Sequence, residues 1–444
     1  MLPLDRPALR REVWRQAWPL VLQNLSRMLM FWVDTAFAGR LDETAQAAMG
    51  VAGPISYTVV SVLAALSVGT IATVARAWGE GASAEKEASA SAVLALAAGI
   101  PLTLIGVWAL PALATLFPVP DAPGATASAQ AFLRWEAAAF LFLCLDLSAS
   151  GIWRGAGKTA VPMVAAVAAN VLNIPLAWMF MFGRLGAPRL GLEGAGVATA
   201  IAMAFQGLLT YGALWTSRSP IRPRLRAGRA ELARLARVAL PAAVEPLVLH
   251  VGFLAYTRLV TSLGETAMAA HRVALAVESL TFMGGYGFVM AASGLVGQAL
   301  GEGRPDKADA ALRECGKLAL AVMVPIGAFF VVFPGAFTRV FAPDLPAVAG
   351  LAAACLRIAG VNQPFMALAM TLAGGLRGAG DTRTPVVTAV VGVWLVRVPV
   401  AWALAFPAGL GLRGIWITMI VDWAARAAVL GAVYLRGRWK AIKV

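Results

Sequence analysis

The stretch RGAGKTAVP, Arg154–Pro162, occurs a second time in the chain as RGAGDTRTP, Arg377–Pro385. Its Gly-Ala-Gly-Lys-Thr run looks like a phosphate-binding loop, but such a loop needs a glycine where this chain has Ile152. In the second copy the lysine is replaced by Asp381, whose carboxylate would repel a phosphate. Arginine–glycine and glycine–threonine combinations of this kind favour a tight turn. We therefore interpret the stretch as a repeated helix–helix corner and expect no ATP site.

The repetition extends along the whole chain. ARAWGEG, Ala75–Gly81, matches GQALGEG, Gly297–Gly303, 222 residues later, and Pro19 pairs with Pro241 at the same spacing. The chain has 444 residues, so this spacing is half of its length. A repeat at a fixed long period indicates a duplicated architecture. The second half is therefore a copy of the first.

The composition is that of a membrane protein. Hydrophobic residues make up 60% of the chain and charged residues only 14%, and the mean hydropathy is +0.75. A membrane-spanning helix needs about 20 mostly apolar residues. We predict an all-α polytopic membrane protein with twelve transmembrane helices. The predicted spans are roughly 14–38, 50–77, 89–116, 130–152, 160–183, 193–217, 238–262, 267–299, 314–338, 348–375, 384–406 and 410–435.

Basic residues are unevenly distributed between the two ends of these spans. With these limits, 22 of the 37 lysines and arginines fall in the termini and alternate connections, 4 in the opposite connections and 11 within the spans. This positive-inside pattern places both termini in the cytoplasm. We expect the run Arg218 to Arg237 to be a connector that lies against anionic lipid. The net charge of +14 therefore does not indicate nucleic-acid binding, since no aromatic residues alternate with these charges.

Each half contains six predicted spans, so both halves enter the membrane in the same orientation. We predict two parallel six-helix repeats related by a pseudo-two-fold axis along the membrane normal. The predicted limits are 1–217 for the N-terminal lobe, 218–237 for the basic cytoplasmic connector and 238–444 for the C-terminal lobe. Two such lobes would enclose a cleft that opens to each side in turn.

Three stretches resemble the multidrug and toxin extrusion (MATE) transporters, and their order extends the resemblance over almost the whole chain. They are WPLVLQNLSRMLMFWVDTAFAGRL from Trp18, RGAGKTAVPMVAAVAANVLNIPLAWMFMFG from Arg154, and AAHRVALAVESLTFMGGYGFVMAASGLVGQALGEG from Ala269. The DinF-like bacterial branch is favoured over the NorM-like branch, which NIPLAWMFMFGRLGAP also resembles.

The resemblance implies an antiporter of the inner membrane that expels organic, often cationic and amphipathic, compounds in exchange for protons. Sodium is the alternative coupling ion. We expect small organic cations or amphipathic drugs and the lipid bilayer as partners, and a monomeric protein without cofactor, metal, ATP or nucleic acid.

Two rival functions remain open from the sequence. A flippase of lipid-linked saccharides from the same superfamily would usually have extra spans and more cationic cavities, whereas several buried acids suit cationic cargo. A membrane-embedded enzyme would need a metal cluster or a nucleophile–base pair at membrane depth. The three cysteines, Cys144, Cys315 and Cys355, are far apart and have no metal-ligand spacing.

One acid lies deep in the first span. Asp34 is about 20 residues into it, and an ionisable residue at membrane depth is costly and usually functional. Away from water a carboxyl group favours its neutral form, so it can bind and release a proton. The resemblance makes Asp34 the coupling acid, with an ion pair to Arg27 as the alternative. It also makes Asn170, Asn173 and Thr199 the polar site around that acid.

Two further features of this lobe concern the coupling mechanism. Ala177 stands where many DinF-like members have a second acid, so we expect a single titrating acid here. Pro19 lies 15 residues before Asp34. It marks either the N-terminal end of the span, where proline is tolerated, or a hinge, as the DinF-like resemblance implies.

Glu245 and Glu278 are the candidate substrate or cation site of the C-terminal lobe. Glu245 precedes Pro246, and a proline-disrupted turn frees backbone carbonyls beside the carboxylate. For Glu278 the alternative is an ion pair with Arg272 or Arg258. The apolar residues Leu249 and Met366 occupy positions where NorM-like members have acids, which weakens the case for a NorM-like sodium site.

Other buried charges have structural interpretations. Asp422 and Arg426 are four residues apart, the spacing of a helical ion pair, and Arg397 could join them. Glu136, beside Arg134, is predicted to reach the membrane interface. Asp146 lies in the same span and has no assigned role.

Overall fold

Long helices make up the chain. The computed structural model describes residues 5–81, 83–117, 119, 122–216, 219–341 and 345–442 and has no strand in these ranges. Its long helices are α1 Arg6–Leu41, α2 Glu43–Gly79, α3 Glu85–Ala114, α4 Gly124–Ala138 with Phe140–Gly155, α5 Ala160–Phe182, α6 Leu192–Ala213, α7 Arg229–Thr261, α8 Glu265–Gly301, α9 Pro305–Val332, α10 Pro346–Gly378, α11 Arg383–Ala405 and α12 Gly411–Arg436. A short helix, Pro334–Phe341, lies between α9 and α10, and a 3₁₀ turn, Arg438–Ala441, follows α12.

The helices agree with the predicted spans. Within the described ranges, ten helices are long and apolar enough to cross a bilayer, and the two pieces of α4 form an eleventh span. The more polar α1 has 36 residues, about 54 Å at 1.5 Å per residue, which exceeds the roughly 30 Å hydrocarbon core. The predicted all-α polytopic membrane fold is confirmed.

The repeated corner has the same backbone geometry in both copies. The Lys158 N–H donates to the Trp153 carbonyl at 2.8 Å, and the Asp381 N–H donates to the Leu376 carbonyl at 2.9 Å. Each corner also has a glycine with positive φ, 74° at Gly157 and 95° at Gly380, a conformation that favours glycine. The stretch that resembles a phosphate loop is therefore a turn between α4 and α5, and again between α10 and α11.

The chain packs as two compact units. The two boundaries between them fall inside helices α1 and α7. The N-terminal unit is Leu22–Ala243, and the C-terminal unit combines residues up to Val21 with Val244–Val444. The lobe limits 1–217, 218–237 and 238–444 follow the repeat instead and stay a prediction. Arg218, the first residue of the predicted connector, lies outside the described residues.

In the N-terminal unit, α4 is bent by 51° between its two pieces. Backbone N–H groups at the start of a helix lack partners within that helix. Here the Leu141 N–H donates to Thr103 Oγ1 of α3 at 2.9 Å, so a neighbouring side chain caps the break. Part of the basic connector and the start of α7 pack on α3 in the same unit, through Arg224 with Glu85 at 3.8 Å and Arg234 with Glu87 at 2.9 Å.

In the C-terminal unit, α8 and α10 run side by side in constant register. A Cβ atom at Gly374 would overlap the backbone of Val289, and one at Gly378 would overlap the backbone of Ser293. The two residues of each pair are 85 positions apart in the chain. Gly285 and Met370 have the same spacing, and a Cβ atom at Gly285 would lie 3.4 Å from Met370 Sδ. Glycine permits this close approach of two backbones. The register determines which polar side chains lie at the same depth.

Candidate functional site

Asp34 points into the N-terminal unit. Its side chain is on the same face of α1 as Ala38, which belongs to the unit's hydrophobic core, and Asp34 is only 4% exposed. Its Oδ1 has no hydrogen-bond partner among the described residues. The predicted alternative, an ion pair with Arg27, is not formed. A carboxyl group held in this way is stable when neutral and costly when charged.

The predicted polar residues form two contacts, which lie towards the N-terminal end of α1 from Asp34. Asn170 Nδ2 donates to Ser26 Oγ of α1 at 2.9 Å, and Asn173 Nδ2 donates to Thr199 Oγ1 of α6 at 3.4 Å. The fully buried Asn173 Oδ1 has no partner among the described residues. These side chains hold α1, α5 and α6 together and leave one acceptor available.

Asp34 lies beyond this polar group along the helix. Ser26 contacts Asn170 and the Phe37 ring contacts the Phe182 ring at 5.9 Å, so α1 and α5 run side by side in the same direction. Interpolated between these two contacts, the register puts Asp34 level with residues 178–179 of α5. Asp34 therefore lies about 8 Å farther along the common helix direction than Asn173. The buried Ala177 lies near the level of Asp34. The acid therefore has apolar surroundings on the α5 side.

A second polar chain continues towards the N-terminal end of α1. Arg154, in the repeated corner, donates from Nη2 to Gln23 Oε1 at 3.0 Å and from Nη1 to Ser67 Oγ at 3.3 Å. Ser26 Oγ in turn donates to the Gln23 carbonyl at 3.0 Å. Polar groups thus line α1 from Gln23 to Ser26, below the acid.

Asp146 has an internal network of its own. Its Oδ1 accepts hydrogen bonds from Thr210 at 2.7 Å and Ser150 at 3.2 Å, and its Oδ2 accepts one from Gln206 Nε2 at 2.8 Å. Both carboxyl oxygens are therefore satisfied, and the residue joins α4 to α6. Its geometry is that of a structural group.

The prediction that Glu136 reaches the membrane interface is wrong. The residue is 2% exposed, and its Oε1 accepts a hydrogen bond from Ser56 of α2. Its Oε2 has no partner among the described residues. The depth was misjudged because α4 begins at Gly124 rather than near residue 130, so Glu136 lies well inside the helix, at the last turn before the bend.

Glu245 and Glu278, the two candidate acids of the C-terminal unit, have different surroundings. Both oxygens of Glu245 accept hydrogen bonds from Arg377 Nη2 at 2.7 Å. Glu278 is 5% exposed, and its Oε1 has no partner within the described parts of the chain. It forms no ion pair with Arg272 or Arg258. Of these two acids, Glu278 alone resembles Asp34 in having a carboxyl oxygen without a partner among the described residues.

Two amides of α10 share the depth of Glu278. The 85-residue register of α8 and α10 places Gln363 level with Glu278, and Asn362 is the preceding residue. Both are completely buried, and Asn362 Nδ2, Asn362 Oδ1 and Gln363 Oε1 have no hydrogen-bond partner among the described residues. We name Glu278, Asn362 and Gln363 the C-terminal polar cluster. Buried polar groups are normally paired, so the cluster is suited to a bound water, proton or cation.

Asp422 is the centre of a buried ion triad. It contacts Arg426 Nε at 2.7 Å and Arg397 Nη2 at 2.7 Å. Arg397 is the last residue of a π-helical segment, Gly392–Arg397, and Gly392 packs directly on the pair, since a Cβ atom there would lie 2.7 Å from Arg426 Nε. A widened helical turn and a glycine thus make room for the three charges.

The acids of the spans did not indicate the C-terminal polar cluster. A signal was available in VNQPF, Val361–Phe365, which has two adjacent amides in the middle of an apolar span. A single acid in an apolar span gives a stronger signal than a neutral amide, because its charge is costlier at that depth. The register of α8 and α10 depends on glycine contacts that the sequence does not reveal.

Known proteins are similar to this chain in sequence and in fold. The MatE family model matches residues 19–179 and 241–403. The chain is 31% identical over 436 residues to the probable multidrug resistance protein NorM of Thermotoga maritima, covering 98% of this chain and 94% of that protein. A crystal structure of MATE in complex with MaL6 has a TM-score of 0.90 at 24% identity, over 98% of this chain and 97% of that one. An outward-facing multidrug resistance MATE family transporter of the MOP superfamily gives the same values.

The duplicated helical fold, with buried polar groups in both units that lack partners among the described residues, is the architecture expected of a membrane transporter. The family match covers most of the chain, and the Thermotoga relative matches it from end to end. The chain belongs to the MATE family, whose members are transporters and not enzymes. Its assignment to the DinF-like rather than the NorM-like branch stays a prediction.

Proposed function

We propose that this protein exports organic cations and amphipathic drugs in exchange for protons by alternating access. It acts as a monomer in the inner membrane, with both termini in the cytoplasm. The name of the Thermotoga maritima relative, a probable multidrug resistance protein, supports the substrate class. The uneven distribution of basic residues between the two ends of the spans supports the orientation.

Asp34 is the proton-binding group in this proposal. The observation that carries it is a carboxyl group 4% exposed whose Oδ1 has no hydrogen-bond partner in the described chain. Binding a proton or a cationic substrate removes the cost of the buried charge. Because both compete for the same carboxylate, entry of one favours release of the other. Exchange follows if the two loaded forms favour different conformations, with Pro19 as the hinge.

The test is dye efflux from reconstituted vesicles under an imposed proton gradient. Asp34→Asn keeps the size of the side chain and removes its charge, so gradient-driven efflux should fall to the level of empty vesicles. Asp146→Asn is the matched control, since Asp146 is also a buried acid but has both oxygens satisfied. The control should retain most of its efflux.

Normal proton-driven efflux by the Asp34→Asn variant would refute the proposal. Equal loss in both variants would also contradict it, because a general need for buried acids would then explain the result. Elution as a single peak in gel filtration, at the wild-type volume, establishes that each variant is folded.

Sodium coupling is the second candidate, and the C-terminal polar cluster favours it. The cluster offers one carboxylate and two amide oxygens that are buried and unpaired in the described chain, and small hard cations prefer oxygen ligands. A sodium gradient imposed without a proton gradient then drives efflux. Glu278→Gln should abolish that efflux and leave proton-driven efflux in place. Failure of sodium alone to drive the wild-type protein would exclude this candidate.

A further inference from the structure

A basic groove lies in the C-terminal unit between the first turns of α1 and the side of α9. Its volume is about 1000 Å³. Trp14 and Trp18 are part of its lining and are 48% and 41% exposed. The charged side chains that line the groove are Arg6, Arg10, Arg11, Arg15, Glu314 and Lys317.

The residues of α1 form a stripe along the groove. Arg6, Arg10, Trp14 and Trp18 follow one another at intervals of four residues, so they share one face of the helix. From Arg6 to Trp18 the stripe extends about 18 Å. It is therefore basic at its start and aromatic at its end.

The positive charge of the groove is not neutralised by any residue that the structure describes. Its single acid, Glu314, pairs with Lys317 at 2.6 Å. None of the four lining arginines forms an ion pair with any residue that the structure describes. Four unpaired guanidinium groups thus face one open groove, and guanidinium groups bind phosphate through paired N–H donors.

The depth of the groove matches the headgroup layer of a bilayer. If the last residues of α1 lie at one surface, a core of about 30 Å extends back roughly 20 residues, to about Leu22. Trp14 and Trp18 then lie at the other boundary, where tryptophan is enriched. Arg6, Arg10 and Arg11 lie just beyond it, at phosphate depth, on the side predicted to be cytoplasmic, and Arg15 lies level with the tryptophans.

We propose that this groove binds the headgroup of an anionic phospholipid, with phosphate oxygens on the arginines and the glycerol region against the two tryptophans. Cardiolipin has two phosphates and should occupy the four arginines better than phosphatidylglycerol, which has one. Zwitterionic phosphatidylcholine should bind weakly, since its choline group would face the guanidinium groups. The aromatic end of the stripe distinguishes a lipid site from a site for free phosphate.

The experiment measures lipid binding to the full-length protein in detergent by native mass spectrometry. The variant Arg10→Gln with Arg15→Gln removes two charges from the groove. The matched control, Arg184→Gln with Arg189→Gln, removes two exposed charges from the turn between α5 and α6. We expect the groove variant to bind cardiolipin at least about tenfold more weakly, since each basic residue near a lipid surface contributes substantially. The control should bind it like the wild type.

Three outcomes would overturn the proposal. The first is equal binding of cardiolipin and phosphatidylcholine by the wild type, and the second is equal weakening in the groove variant and the control variant. The third is displacement of cardiolipin by inorganic phosphate at the same concentration, which indicates a bare anion site. Thermal unfolding in lipid-free detergent, unchanged between variants, shows that the lost binding does not reflect lost folding. None of these measurements depends on transport.

Discussion

Pro19 and Pro241 occupy equivalent positions in the two repeats, and each lies two residues before the point where the chain passes from one compact unit to the other. The first passage follows Val21 and the second follows Ala243. Both prolines are inside continuous helices, α1 and α7. A proline removes one backbone hydrogen bond of its helix and weakens it locally. The two weak points of the long helices therefore coincide with the two unit boundaries.

We predict that Pro19→Ala and Pro241→Ala each slow transport and stabilise the protein. Alanine restores the missing N–H donor, and alanine is more favourable than proline inside a helix by about 3 kcal/mol. Stiffer helices at the boundaries should raise the Tm by a few degrees and reduce the initial rate of dye efflux several-fold. Fluorescence-based thermal unfolding and vesicle efflux measure the two effects.

Pro54→Ala is the control for this pair. Pro54 also lies inside a helix, α2, but far in sequence from both boundaries. This variant should raise the Tm without slowing efflux. Should only Pro19→Ala slow efflux, the equivalence of the two prolines would be structural and not functional.

The boundaries could not be predicted from the sequence, although the prolines could. The repeat pairs Pro19 with Pro241 by spacing alone, and hydropathy locates the spans because a bilayer imposes their length. Neither signal indicates which unit a given turn of α1 packs against. That depends on contacts such as Gly287 with Val21, where a Cβ atom would overlap the α1 backbone.

Gly392 should be intolerant of a side chain. A methyl group there would overlap the buried Asp422–Arg426 pair, and a buried ion pair cannot relax without losing its hydrogen bonds. We expect Gly392→Ala to lower the Tm by several degrees and to reduce the amount of folded protein. Gly431→Ala in α12, where no atom lies within 4 Å of the added Cβ, should not lower the Tm. Equal Tm values for the two variants would show that the triad has room to move.

Asp422 and Arg426 should not be equally important to stability. Removing the acid leaves Arg397 and Arg426 buried and facing each other, and breaking a buried ion pair costs about 3–5 kcal/mol. Removing Arg426 leaves Asp422 with Arg397 at 2.7 Å. Asp422→Asn should therefore unfold at a much lower temperature than Arg426→Gln. The reverse order would mean that the charge of Arg426 is not balanced by Asp422.

The positions of the buried acids could be predicted from the sequence better than the residues that they contact. Asp34 and Asp422 could be found because a charge in an apolar span is unusual, and the spacing of Asp422 and Arg426 fixes their contact on one helix face. Contacts between different helices were harder to predict from the sequence. The pairing of Glu245 with Arg377 joins residues 132 positions apart, and the burial of Glu136 depends on where α4 begins.

Glu245 and Glu278 should respond differently to loss of charge. Glu245 is held by two hydrogen bonds from Arg377, so Glu245→Gln leaves a buried arginine without its carboxylate and should lower both the Tm and all efflux. The charge-swapped double variant, Glu245→Arg with Arg377→Glu, should recover part of the Tm, because it restores the ion pair. Glu278 has an unpaired oxygen within the described chain, and removing an unpaired buried charge relieves its desolvation cost. Glu278→Gln should therefore keep or raise the Tm, and a fall in Tm comparable to that of Glu245→Gln would mean that Glu278 is a structural residue and not a binding group.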